Sequence, residues 1–141
     1  MIVKQLSVFL ENKSGRLTEV FETLGEEDIE IKTLTIADTS EFGILRIIVN
    51  EPEKALHLLK KKGFSVNLTD VLSISTPTRA SSFAKVLRIL SDEDLSIEYM
   101  YSFSIGEKEI LIIRTDNIEQ SIVILQEHKM ELIRASDLYS F

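Results

Sequence analysis

The segment Asn12-Lys13-Ser14-Gly15-Arg16-Leu17 combines residue types that can hold a small charged molecule. It stands between a predicted strand and the apolar face of a predicted helix, and so at a helix N-terminus. There, unpaired backbone N–H groups and a partial positive charge favour a carboxylate. Gly15 lacks a Cβ and leaves its backbone open to approach, while the Asn12 amide can pair with an ammonium group or a carboxylate. The segment therefore predicts a carboxylate-binding turn.

An ordinary helix-entry turn explains the same segment, because Asn, Ser and Gly are the common turn and cap residues. The two histidines, His57 and His128, are not accompanied by carboxylates at metal-ligand spacing, so we predict no metal site. The sequence contains no cysteine, nucleophile elbow, P-loop or dinucleotide fingerprint. We therefore expect neither a catalytic centre nor a cofactor.

The chain repeats itself at an offset of about 66 positions, and the halves align without a gap. Asp28-Ile29-Glu30-Ile31 aligns with Asp94-Leu95-Ser96-Ile97. The helix face of Leu17, Val20, Phe21 and Leu24 aligns with Phe83, Val86, Leu87 and Leu90. Because the matched positions are mostly apolar and keep their periodicity, the halves should share one fold.

Each half predicts the element order βαββαβ. The predicted strands cover 2–11, 29–37, 42–49 and 64–69 in the first half, and 71–76, 95–105, 109–115 and 130–137 in the second. Predicted helices follow Asn12–Gly15 and Asn50 in the first half and cover 81–92 and 117–127 in the second. Asn50 with Glu53, and Asp116 with Glu119, resemble capping boxes. Thr39-Ser40-Glu41 is a predicted hairpin connection.

This order predicts an α+β fold of two ferredoxin-like units, each with an antiparallel sheet and two helices on one face. We place the domains at 1–69 and 70–141. No linker rich in Gly, Pro or Ser separates them, and Asn67 to Ser75 looks like one continuous strand. We therefore expect the units to pack side by side as a pseudo-dimer.

The formal net charge of −7 disfavours nucleic acid or an anionic membrane as a partner. The N-terminus lacks a basic region followed by a long apolar run, and no apolar run approaches membrane-spanning length. We therefore expect a cytoplasmic protein.

With Gly-x-Leu at the start of the first helix, in a tandem βαββαβ repeat, the chain resembles ACT domains, which usually sense amino acids. The resemblance covers nearly the whole chain, although Ser14 replaces the usual Pro. It implies a site formed by Asn12, Ser14, Gly15, Arg16 and Leu17. In ACT pairs the ligand commonly lies against the second strand of the other unit, which here carries Tyr99, Met100 and Tyr101.

The second repeat departs from the signature in its own loop, Thr78-Arg79-Ala80-Ser81-Ser82-Phe83, which has neither Gly nor Asn. A Cβ at Ser81 should crowd a ligand that approaches the backbone. We therefore expect one competent site, or two unequal ones. Pro77 also suggests a turn of different shape.

The resemblance predicts a regulatory protein, not an enzyme, which binds an amino acid or similar small molecule between its units. It would report to an enzyme or regulator of amino-acid metabolism, or through self-association as a homodimer. The alternative is an interaction or scaffold module whose site has decayed. The only feature that favours the alternative of an acylphosphatase-like enzyme is the presence of Arg16 near Asn12. An RNA-recognition module is disfavoured because Ile44 and Leu45 stand where aromatics would stack.

Overall fold

The computed structural model describes residues 1–11, 15–38 and 42–140, which form two compact units. The N-terminal unit comprises Lys4–Thr69 with Leu138–Phe141, and the C-terminal unit comprises Met1–Val3 with Asp70–Asp137. The predicted connection at Thr39–Glu41 lies outside the described residues. Within the described residues, no helix is both long and apolar enough to span a membrane.

The N-terminal unit has the strand order β2-β3-β1-β4, in which β1 and β2 both pair antiparallel with β3. Its elements, in chain order, are β1 (Val3–Glu11), α1 (Arg16–Gly25), β2 (Ile31–Asp38), β3 (Phe42–Val49), α2 (Pro52–Lys61) and β4 (Ser65–Pro77). The element order confirms the prediction for the first half. The long strand β4 also confirms that the chain continues without a break through residues 67–75.

The C-terminal unit has the antiparallel order β5-β6-β4-β7, so β4 supplies residues to both sheets. Its further elements are α3 (Ala80–Asp92), β5 (Ile97–Ile105), β6 (Lys108–Thr115), α4 (Ile118–Glu127), β7 (Glu131–Leu132) and the short α5 (Ala135–Tyr139). The predicted α+β fold of two ferredoxin-like units is confirmed.

The repeat extends to the register of the strands. Thr33 pairs with Ile48 on β3, and its counterpart Tyr99 pairs with Arg114 on β6. A β-bulge interrupts both edge strands at the same place, after Ile31 in β2 and after Ile97 in β5. Since a bulge re-aims the side chains that follow it, both edge strands present corresponding positions to the same face of their sheets.

Each unit has its own core between the helices and one face of the sheet. The predicted face of α1 is confirmed, because Val20 and Leu24 are buried and Leu17 and Phe21 pack against the same cluster. The corresponding C-terminal cluster contains Leu72, Ile74, Val86, Leu90, Leu111, Ile113, Ile122 and Leu125. Burial of these side chains is the main favourable term in folding either unit.

The predicted capping boxes are wrong. The N-cap of α2 is Glu51, which makes no side-chain cap hydrogen bond, and Asn50 instead accepts from the Glu30 N–H at 2.9 Å. The N-cap of α4 is Asn117, which accepts from the Gln120 N–H, while Asp116 accepts from the Ser96 N–H at 3.1 Å. Because Asn50 and Asp116 bond to the segment that precedes β2 or β5, they serve the strand and not the helix.

The predicted strand 130–137 is largely wrong. Only Glu131–Leu132 pairs with β4, and the Ile133 N–H then donates to the Ser73 carbonyl at 2.8 Å. The chain turns into α5, where Leu138 is fully buried. The Tyr139 hydroxyl accepts from the Lys4 N–H at 2.7 Å. Burial of Leu138 and this bond favour a helical turn over a longer strand.

The turns that end α2 and α4 offer a matched test of backbone strain. Gly63 (φ 90°) follows α2 and its counterpart Lys129 (φ 57°) follows α4, so both are left-handed. A lysine there costs roughly 1–2 kcal/mol, which exceeds the extra entropy that glycine loses on folding. We expect Lys129→Gly to raise the free energy of unfolding by roughly 0.5–1 kcal/mol. Urea denaturation measures this, with Gly63→Ala as the control, which should be destabilised.

Candidate functional site

Gly15 has the backbone conformation that the predicted turn requires. It is the N-cap of α1, with φ 86° and ψ −8°, in the left-handed region that L side chains rarely adopt. A Cβ placed on Gly15 would meet no described atom within 4 Å. None of the residues that the structure describes therefore crowds this backbone position, and glycine is the residue that adopts its conformation without strain.

The first turn of α1 presents N–H groups that the helix itself does not use. The Gly15 carbonyl accepts from the Glu19 N–H at 3.0 Å, which is the first bond of the helix. The N–H groups of Arg16, Leu17 and Thr18 precede that bond, so no carbonyl within the helix reaches them. Together with the helix dipole they favour an anion. Asn12 and Ser14 lie outside the described residues, so their roles stay predictions.

Arg16 is held in place by two contacts within the N-terminal unit. Its guanidinium donates to the Glu19 carboxylate at 3.0 Å and lies over the Phe64 ring, 4.4 Å from the centroid. The Arg16 side chain is 31% exposed and that of Glu19 is 48% exposed. Arg16 thus lies at the turn, but a ligand carboxylate would have to compete with Glu19 for it.

Leu17 contributes differently from its neighbours, because its partly buried side chain packs against the N-terminal core. What Leu17 can offer a ligand is its backbone N–H. Glu19 and Phe64 were not predicted as partners of Arg16 from the sequence. Opposite charges three residues apart on a helix were the available signal for Glu19. No sequence pattern indicated that Arg16 would contact the ring of Phe64, which follows a turn at Gly63.

The second repeat has a different turn at the corresponding place. The N-cap of α3 is Arg79, whose backbone is extended (φ −99°, ψ 140°), and the helix begins at Ala80. Ser81, the counterpart of Gly15, therefore lies inside the first turn of α3. The prediction that the second turn has another shape is confirmed. In the first repeat a left-handed glycine is the N-cap, whereas the helix of the second repeat begins two positions earlier and includes the counterpart of that glycine.

The remaining predicted residues lie on β5 of the C-terminal unit. Tyr99 and Tyr101 are half-buried and share one face of the sheet, opposite Arg114 and Ile112 of β6. Met100 points to the other face and is 37% exposed. The structure thus brings Gly15, Arg16 and Leu17 together on one turn, and Tyr99 and Tyr101 together on one strand of the other unit.

Glu30 and Glu109 have a lowered pKa, and neither is a predicted site residue. The pKa of Glu30 is lowered by its hydrogen bond and charge interaction with Lys32. The pKa of Glu109 is lowered by hydrogen bonds from the hydroxyls of Ser104 and Ser102. In the described part of the chain, no three acidic or histidine side chains are grouped as a metal site would need.

An open groove of about 660 Å³ lies on the C-terminal unit between α3 and the start of β5. Its wall is mainly apolar and includes Leu87, Leu95 and Ile97, with Arg88 as the charged member. None of the predicted site residues that the structure describes lines it.

Comparisons with known proteins identify the family. Residues 1–141 match the family model described as an ACT domain pair. The crystal structure of protein BT0572 from Bacteroides thetaiotaomicron is 51% identical, with a TM-score of 0.95 over 100% of this chain and 98% of that one. No curated protein was found to match.

More distant structures share the fold. The regulatory subunit of aspartate kinase from Thermus thermophilus is 18% identical with a TM-score of 0.64, covering 89% of this chain and 93% of that one. Its counterpart from Thermus flavus is 19% identical with a TM-score of 0.58, covering 89% and 92%. Since the family model spans every residue of the tandem repeat, this chain belongs to the ACT domain pair family.

Proposed function

We propose that this protein is a regulatory module that binds an L-amino acid at the turn between β1 and α1. ACT domain pairs are a regulatory family that typically binds amino acids. The observation that carries the proposal is Gly15, whose left-handed N-cap leaves open space at the first turn of α1. The ligand carboxylate would accept from the N–H groups of this turn, and Asn12 would help hold the polar head.

The difference between the repeats supports one competent turn. In the C-terminal unit the counterpart of Gly15 is Ser81, a helical residue that carries a Cβ. The first turn of α3 still has unpaired N–H groups, but they follow an extended Arg79 and not a left-handed glycine. We therefore assign the principal site to the N-terminal unit.

The Arg16 guanidinium can bind the ligand carboxylate in competition with Glu19. Because it is already paired with Glu19 and lies over Phe64, it presents a fixed guanidinium beside the turn. A bound carboxylate would share this charge or displace Glu19 from it. Because water screens an exposed ion pair, the pair of Arg16 and Glu19 is weak, and replacing Glu19 by the ligand carboxylate costs little free energy.

We infer that the bound state is reported to an enzyme or regulator of amino-acid metabolism. A ligand shifts such an output only if it binds one conformation of the module more tightly than the other. The competing function is an interaction module without a ligand.

A thermal-shift screen with the twenty standard L-amino acids at millimolar concentration tests the proposal. We expect one amino acid, or a few of related shape, to raise the melting temperature. A ligand present at about 100 times its dissociation constant adds roughly 2.7 kcal/mol to the free energy of unfolding. If no amino acid changes the melting temperature, the proposal fails and the interaction module becomes the better explanation.

A further inference from the structure

We propose that the amino acid bound at the β1–α1 turn carries a second carboxylate on its side chain, and that this group takes the place of Glu19 on Arg16. The inference rests on the proposed function, because it concerns the same turn. The first N–H groups of α1 would hold the α-carboxylate, and the Arg16 guanidinium would hold the side-chain carboxylate. Two anion-binding groups on one helix turn suit a dicarboxylic amino acid, such as aspartate or glutamate.

The carboxylate of Glu19 shows that the Arg16 guanidinium accepts an anion where it lies. One terminal nitrogen of Arg16 donates to one oxygen of Glu19 at 3.0 Å, which is the acidic contact of Arg16 in the part of the chain that the structure describes. A guanidinium has five N–H donors and can bind a carboxylate through two parallel bonds. A ligand carboxylate that makes both bonds would therefore be held more strongly than Glu19 is.

Phe64 keeps the guanidinium in place while its anion changes. The ring centroid lies 4.4 Å from the Arg16 Cζ atom, and Phe64 belongs to the buried core of the N-terminal unit. A guanidinium over an aromatic face is attracted by the ring, whichever carboxylate it also binds. Because the ring is fixed, Arg16 need not be ordered again when Glu19 leaves. The ligand therefore meets a guanidinium that is already in position, which lowers the cost of binding.

The segment that leads to Phe64 adds positive charge at the same end of the N-terminal unit. Lys60, Lys61 and Lys62 are exposed, and the left-handed Gly63 joins them to Phe64. The C-terminal end of the α2 dipole amounts to about half a negative elementary charge, so the lysines leave a positive surplus. Such a surplus raises the local concentration of a ligand with net negative charge, but not that of a neutral zwitterion.

The second repeat does not contain this arrangement. The positions of Arg16, Glu19 and Phe64 are taken there by Ser82, Lys85 and Met130. The lysine run is replaced by Gln126-Glu127-His128. The guanidinium, its internal carboxylate and the ring therefore occur together in the repeat that also contains Gly15, to which we assign the site.

Calorimetric titration of the full chain with L-glutamate and L-glutamine, and with L-aspartate and L-asparagine, tests the proposal. The members of each pair have nearly the same shape and differ in the charge of the side chain. We expect the acid of at least one pair to bind about tenfold or more tightly than its amide, because the amide forgoes the charge-assisted bonds to Arg16. Arg16→Gln should remove this preference and leave the weak binding of the amide within about twofold.

Glu19→Gln gives a second test in the opposite direction. Without the competing carboxylate, the acidic amino acid should bind about two- to fivefold more tightly, which is the range that an exposed ion pair is worth. A pair with a structural role alone predicts no such gain. Glu22→Gln removes the same charge one turn further along α1 and is the matched control, with an expected change below about twofold. Circular dichroism verifies that the variants are folded.

The outcomes separate this inference from the proposed function. If a neutral amino acid binds best, or if Arg16→Gln keeps the preference for the acid, the inference is overturned while the proposed function stands. Glu19→Gln binding the acid no more tightly than the parent would also overturn it, because Glu19 would then not occupy the place of the ligand. If none of the standard amino acids binds the parent, both proposals fail.

Discussion

Replacing Gly15 with valine is expected to abolish the binding of the amino acid at the β1–α1 turn. The valine side chain would enter the open space next to the first N–H groups of α1, where we place the ligand carboxylate. Loss of one or two charge-assisted hydrogen bonds costs about 1.5–3 kcal/mol each, or roughly one to two decades of affinity per bond. Calorimetric titration with the amino acid found in the screen measures the loss.

The left-handed conformation of Gly15 requires a control for folding. Valine at φ 86° is strained by at least about 1–2 kcal/mol, so the turn itself could rearrange. Asparagine tolerates this region better and still adds a side chain. We therefore expect Gly15→Asn to keep the fold and also to weaken binding, which separates blocked access from a displaced backbone.

Ser81→Val is the matched change in the second repeat, and it should leave binding nearly intact. Ser81 is already a helical residue with a Cβ, so valine alters the first turn of α3 without closing an open approach. If Ser81→Val removed binding while Gly15→Val preserved it, the site would belong to the other repeat. If both variants bound as the parent does, neither turn would hold the ligand.

The repeat explains why most of the fold could be predicted from the sequence. Apolar residues recur at the same offset in both halves, because corresponding helices and strands of the two units bury side chains at corresponding positions. The left-handed residues Asp28 and Asp94 also occupy corresponding places, with φ of 54° and 56°. Because the same pattern occurs twice, the assignment of each helix and strand rests on two stretches of sequence, which is stronger evidence than one periodic stretch.

The errors arose where a polar side chain had two partners within reach. Asn50 and Asp116 stand just before helices, where side-chain caps are common, and the sequence pattern alone favoured the helix. In the folded chain the segment that precedes β2 or β5 brings an unpaired N–H close to the same oxygen. Only the tertiary structure decides between these acceptor roles. The short β7 also depends on the tertiary structure, because Leu138 is fully buried and the Tyr139 hydroxyl accepts from the N–H of Lys4, which is distant in sequence.

The glycine turn at the start of α1 could be predicted from the sequence, but the contacts around it could not. Gly15 was recognisable because a helix follows a glycine directly, and its left-handed conformation agrees with that interpretation. The contact of Arg16 with Phe64 joins residues far apart in sequence, and no local pattern predicts it.

The largest effect on stability is expected at Leu45 and Leu111, which occupy corresponding positions of β3 and β6. Both side chains are fully buried against the helices of their own unit. Truncation to alanine removes buried methyl groups and leaves a cavity, which costs about 2–5 kcal/mol. We therefore expect Leu45→Ala and Leu111→Ala each to lower the free energy of unfolding by this amount in urea denaturation.

Hydrogen exchange can assign the damage from each truncation to its own core. Leu45→Ala should raise exchange mainly in α1, α2 and β3, because their side chains share a cluster with Leu45. Leu111→Ala should do so mainly in α3, α4 and β6. Val123→Ala, at an apolar side chain that is 51% exposed, is the control and should change stability by less than about 0.5 kcal/mol. A loss below about 1 kcal/mol at Leu45 or Leu111 would mean that its core collapses around the missing atoms, and that this position is not closely packed.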